Sequence, residues 1–199
     1  LIVILKVMPM ARVHHVILIG SCVLGSWLGM QAVHELGHVL GAWLTGGHVE
    51  RVVLNPLTIS RTDLRHNPSP LIVVWAGPSF GVVAPFLIWV VATKLRMPDA
   101  FMLRFFAAFC LVANGFYIGA GSFGQIGDCG EMLRHGSAAW QLWLFGIVTV
   151  PIGFRLWHGE GAHFGFGSTG GQVSRAAAYK SLAACAALLV LGFVVGGDG

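Results

Sequence analysis

Five stretches of this sequence read as helices that cross a bilayer, and together they leave little chain for anything else. They run from about Val16 to Leu44, Leu71 to Thr93, Ala100 to Ile118, Ala138 to Phe154 and Ser181 to Val195. A helix through lipid takes about 20 mostly apolar residues. Charge supports the same reading: Asp, Glu, Lys and Arg make up 10% of the chain, where a soluble domain carries about 25%. Hydrophobic residues reach 56% and the mean hydropathy is +0.78. A water-soluble enzyme, a disordered tail and a fibrous repeat are thereby excluded. The expected class is a multi-pass, all-α membrane protein whose first partner is the lipid bilayer.

The net charge of +4 is scattered, without the basic, aromatic-studded runs that bind nucleic acid, so no nucleic-acid partner is expected. Cys22, Cys110 and Cys185 lie in apolar runs and Cys129 in a Gly-rich loop, with no spacing that suggests disulfides. Residues Leu1 to Met10 are apolar but broken by Lys6 and Pro9, and no small-residue cleavage pattern follows, so no signal peptide is expected. One domain over 1–199 is predicted, with a catalytic core at about 16–135 and additional helices at about 138–196.

Two segments have a different texture. Between the first and second spans, Val49 to Leu64 surrounds Asn55-Pro56, and Leu57 to Thr62 alternates apolar or long residues with small polar ones. A short β-hairpin is predicted there. Gly119 to Gly130 holds five glycines. The third helix is therefore expected to break within it, which membrane depth tolerates only where the backbone is buried in protein or lines a cavity. Gly159 to Gly171, rich in Gly with Ser, Thr, His and Glu, reads as a solvated loop.

Chemistry concentrates in the first span, at His34-Glu35-Leu36-Gly37-His38. Residues four apart on a helix share a face about 6 Å apart along the axis, so the two imidazoles can hold one metal ion. Glu35 on the flank is placed to act on a water beside that metal, the pattern of a zinc hydrolase with Glu as general base. Ionisable groups inside a membrane span are costly to keep and point to function. A catalytic zinc takes three protein ligands. The third must come from Glu50, Asp63, Asp99, Asp128, Glu131, Glu160 or Asp198. Asp128 is favoured because its glycine-rich setting lets backbone pack closely and aim the carboxylate inward; Glu131 is next. The other histidines, at span ends or in loops, read as interfacial polar residues. Phe101, Phe105, Phe106 and Phe109 read as a lipid or packing face.

These residues resemble the site-2 protease family of intramembrane zinc metalloproteases (M50-type), in a compact form without an added soluble domain. The resemblance rests on His34 to His38, the hairpin after it, Ala76-Gly77-Pro78-Ser79-Phe80-Gly81 in the second span, and Gly127-Asp128-Cys129-Gly130. It implies one Zn2+ per chain held by His34, His38 and Asp128, with Glu35 as base. It also implies a substrate-binding asparagine, for which Asn114 is the candidate. The family pattern of Asn, Pro and Asp-Gly is altered here: no proline intervenes and Cys129 follows the Asp. The implied function is hydrolysis of peptide bonds in membrane-embedded protein substrates, in a prokaryotic cytoplasmic membrane. The substrate would join the hairpin near Ile59 and Ser60 as an added strand. A competing reading is a protease-like structural subunit of a larger membrane complex; the intact His-Glu-His set argues for activity.

Overall fold

The computed structural model describes residues 10–166 and 173–195. The expected signal-free N-terminal stretch, Asp198 and part of the Gly159 to Gly171 loop lie outside these residues. Among the described residues the chain forms α1 (Met10–Leu44), β1 (His48–Val53), β2 (Arg61–His66), α2 (Pro70–Lys94), α3 (Ala100–Gly124), α4 (Asp128–Arg134), α5 (Ala139–Trp157), a 3-10 helix (Glu160–Phe164) and α6 (Arg175–Val195). Five of these helices, α1, α2, α3, α5 and α6, are long and apolar enough to cross a membrane. The fold is thus the helical membrane bundle expected, with a two-stranded hairpin after its first helix.

The 35 residues of α1 make it the longest element, about 52 Å at 1.5 Å per residue. It ends where the sequence supplies Gly46-Gly47. Gly46 adopts φ +76, and the Gly47 amide donates to the Ala42 carbonyl at 2.7 Å. That is the Schellman arrangement, which uses glycine because the left-handed backbone strains other residues.

Two helices pack on different stretches of α1. Along its C-terminal half, α2 runs antiparallel, so close that a methyl group placed on Gly37 would lie 2.5 Å from the Ala76 carbonyl oxygen. Along its N-terminal half, α6 runs parallel: Ser21 Oγ and Ser181 Oγ share a hydrogen bond of 2.6 Å, and Gly25 faces Cys185. Small residues that let backbones approach are the usual adhesive between helices in lipid, where the hydrophobic effect gives no preference for helix over lipid tail.

The third helix breaks within Gly119 to Gly130 as expected, but six residues after the expected end at Ile118. α3 continues unbroken to Gly124, past Gly119 and Gly121, and the interruption is confined to Gln125–Gly127. The glycines serve packing instead of ending the helix. Gly119 lies against the Gly146 backbone of α5, and Gly115 lies against Thr149. The last helix begins at Arg175, six residues before the expected Ser181.

The loop after α5 is not wholly solvated either. Glu160 and Phe164 are buried in the 3-10 turn, where Glu160 accepts an ion pair from Arg104 at 2.8 Å. Phe164 joins the Leu18, Cys22, Ala177 and Ala178 core. Burial pushes the Glu160 carboxyl above the ordinary range, against the pull of Arg104 and His163. The Phe-rich face of α3 turns out to pack: Phe105 meets Trp157 and Phe164, and Phe101 stacks on His163.

The hairpin pairs Val53 with Arg61, Val52 with Thr62 and Arg51 with Asp63 in antiparallel register. The alternating stretch Leu57–Ser60, where strand was expected, is instead the connection between strands. Asn55 explains why: its side-chain oxygen accepts from the Leu57 amide at 2.9 Å and its carbonyl from the Thr58 amide at 3.1 Å. Asn and Pro at a turn start outweigh a short alternation. Leu54 and Pro56 rest on Gly192 near the end of α6.

Candidate metal centre

His34 and His38 stand one turn apart on α1 and both are buried. Their Nε2 atoms are 3.1 Å apart. Asp128, the first residue of α4, brings Oδ2 to 2.8 Å from His34 Nε2 and 3.4 Å from His38 Nε2. A tetrahedral zinc with bonds of about 2.0–2.1 Å sets its ligand atoms about 3.3 Å apart, so these three match that donor set. Each imidazole is held from behind. His34 Nδ1 donates to Asn114 Oδ1 at 2.7 Å, and His38 Nδ1 donates to the Val73 carbonyl at 2.8 Å. With Nδ1–H committed in both rings, the two Nε2 atoms turn to the shared point, the usual backing for a metal-bound histidine.

The Ala76 to Gly81 stretch of α2 is what admits these groups. A side chain at Gly77 would strike the His38 ring, and one at Gly81 would crowd the Asn114 carboxamide at about 3.0 Å. Two glycines four apart on α2 thus leave room for two polar groups arriving from α1 and α3.

Asp128 is positioned by the short break after α3. Gly127 takes φ +60, where a side chain would collide with the Tyr117 hydroxyl, and the Asp128 amide donates to that hydroxyl oxygen at 3.1 Å. Burial acts to raise the Asp128 carboxyl, but the facing His34 and His38 outweigh it and hold it below the ordinary carboxylate range. Cys129 is no fourth ligand. It is fully buried, its thiol donates to the Tyr117 carbonyl at 3.2 Å, and burial next to the Asp128 carboxylate pushes it up to about 11.

The other acidic candidates are engaged elsewhere or apart from the histidines. Glu131 pairs with Arg134 at 2.9 Å and His135 at 3.3 Å. Asp63 pairs with Arg61, and Asp99 with Lys180. Among the described residues, His34, His38 and Asp128 form the cluster of metal-ligating groups.

Glu35 is 3% exposed and lies beside this cluster in the wall of a cavity of about 750 Å³. Thr62, on β2, donates its hydroxyl to Glu35 Oε2 at 2.7 Å. Sequence reasoning had no signal for that contact, since it joins residues 27 apart across a hairpin. The cavity also reaches β2 and the loop before it, so Ile59 and Ser60 do line it, as loop residues. Asn114 is 1% exposed, with its amide nitrogen donating to the Cys110 carbonyl at 2.9 Å and its oxygen holding His34.

A protein-family model described as Peptidase M50B-like matches residues 10–121, more than half of the chain. It covers α1, the hairpin, α2 and nearly all of α3. No curated protein and no solved structure matches.

Proposed function

We propose that this chain, which belongs to the Peptidase M50B-like family, is an intramembrane zinc metalloprotease that hydrolyses peptide bonds of membrane-embedded proteins. The observation that carries the reading is the meeting of His34, His38 and Asp128 at one point, with the Glu35 carboxylate buried alongside and a cavity opening onto all four. Zinc bound there would polarise the scissile carbonyl and acidify a water. His34, His38 and Asp128 would hold the metal. Glu35 takes a proton from the attacking water and later delivers it to the leaving amine, the two halves of general acid–base catalysis. Thr62 fixes one carboxylate oxygen and leaves the other for that exchange.

A substrate helix hides its carbonyls in its own hydrogen bonds, so it must extend before it is cut. The hairpin offers a strand edge for the extended segment. β2 is the strand that borders the cavity, through Arg61, Thr62 and Leu64, while β1 lies behind it. We therefore place the added substrate strand along β2, with the Ile59 and Ser60 loop at its end.

Zinc analysis of the purified chain together with cleavage of a membrane-spanning reporter tests this. One zinc per chain is expected, lost in Asp128→Ala. Glu35→Gln should keep the zinc and abolish cleavage. A chain that binds no zinc and cleaves nothing would leave the structural-subunit reading in its place, and a Glu35→Gln variant that cleaves fully would remove Glu35 as the base.

A further inference from the structure

We infer that Tyr117, one helical turn beyond Asn114 on α3, is the side chain that stabilises the oxyanion during peptide hydrolysis. The inference rests on the proteolytic reading above. A tetrahedral intermediate needs a donor aimed into the reaction space, and Asn114 is poorly placed to supply it: it is 1% exposed, its oxygen accepts from His34 and its nitrogen donates to the Cys110 carbonyl. Tyr117 is placed differently. It is 43% exposed, lines the cavity, and sets its ring edge-on to His34 with centroids 5.9 Å apart. Its hydroxyl oxygen accepts the Asp128 amide at 3.1 Å. A phenol can accept and donate at once. Among the described residues nothing accepts the Tyr117 O–H, so the proton is left for the cavity. Gly127 keeps this place open, since any side chain there would strike the hydroxyl.

The step balances without a proton from Tyr117. Water oxygen bonds to the carbonyl carbon, one water proton passes to Glu35, and the carbonyl π pair becomes a lone pair on oxygen. That oxygen accepts a hydrogen bond from Tyr117. On collapse the pair re-forms C=O, the C–N bond breaks, and the leaving nitrogen takes the proton from Glu35. Preorganised donors of this kind act on charge present only in the transition state, so they alter kcat more than binding.

The test uses the full chain, a single-span fluorogenic peptide, and a phosphinate version of the same peptide whose tetrahedral phosphorus carries the anionic oxygen. Tyr117→Phe should lower kcat about 10²-fold or more and weaken the phosphinate in step with kcat/KM, with KM and zinc affinity within about threefold. Asn114→Ala should move the readout that Tyr117→Phe does not, weakening zinc about 10–100-fold. Unchanged kcat or unchanged phosphinate affinity in Tyr117→Phe overturns the assignment. Loss of zinc affinity in that variant also overturns it, because the phenol would then act through the Asp128 backbone. If the parent chain cleaves no better than Glu35→Gln, the proteolytic reading itself fails and this assignment goes with it.

Discussion

The two halves of α1 use the same device to different ends. Near its N-terminus, Ser21 and Gly25, four residues apart, draw α6 close, and Gly29 makes room for Phe106 of α3 and Leu188 of α6; near its C-terminus, Gly37 and Gly41 draw α2 close in the same way. The first contact buries one hydroxyl pair and otherwise only packs. The second carries His34, Glu35 and His38. Close approach alone therefore does not make a site. The difference lies on the partner: α2 has Gly77 where His38 needs space, while α6 presents Cys185 and Leu188 to the glycines of α1. Adhesion asks only that small residues let two helices meet, and the candidate metal centre also asks for an empty place on the partner where the ligand side chain sits.

The largest effect should come from filling that space. Gly77→Ala puts a methyl group against the His38 ring between two helices already in backbone contact, so the ring must leave its position. Zinc content should fall to background and cleavage with it, measured on protein that still purifies as a folded species. Retained zinc in Gly77→Ala would mean the two halves of α1 do not differ in the way described.

An intermediate effect is expected at Thr62, a partner that the α6 half lacks. Thr62→Val keeps the shape and the strand preference but removes the donor to Glu35. A hydrogen bond to a charged group is worth enough to lower kcat about tenfold or more. Zinc content should hold, and Thr62→Ser should restore most of the rate. Equal losses in Val and Ser variants would assign the effect to packing of the hairpin.

The smallest effect belongs to the α6 contact. Ser181→Ala deletes one interhelical hydrogen bond, and such bonds average about 0.6 kcal/mol inside membranes. Gly25→Ala meets Cys185 Cβ at 3.4 Å, an ordinary contact. Unfolding in mixed detergent should register a small loss for Ser181→Ala and almost none for Gly25→Ala, with zinc and cleavage intact in both. Loss of zinc from either would show the two halves to be coupled.

How much could be read from the chain alone follows from the range of each interaction. The spans and the His34 to His38 face were legible because helix periodicity and hydropathy are local properties. Asp128 was legible through its glycine setting, although the same setting misled about where α3 ends. Gly119 and Gly121 look like helix breakers until a neighbour is known, and Gly119 is there to meet Gly146. Leu57–Ser60 failed in the opposite sense, since Asn55 directs a turn that a short alternation could not reveal. The Thr62 bond to Glu35, the Val73 carbonyl behind His38 and the Tyr117 hydroxyl under the Asp128 amide all join distant residues. Chain pattern carries no trace of such pairs.

Glu35 stands nine residues before the end of α1, which puts the site about 13 Å in from that end of the helix. A bilayer core is about 30 Å thick and needs about 20 apolar residues to cross. A span cut at the depth of Glu35 is divided near its middle, into pieces of roughly ten residues each, and neither is long enough to cross alone. On the proposed chemistry a single hydrolysis therefore removes the transmembrane anchor from both products at once. Resealing the bond would require two short pieces to meet again within lipid, so each turnover acts as a one-way release of whatever the substrate had tethered.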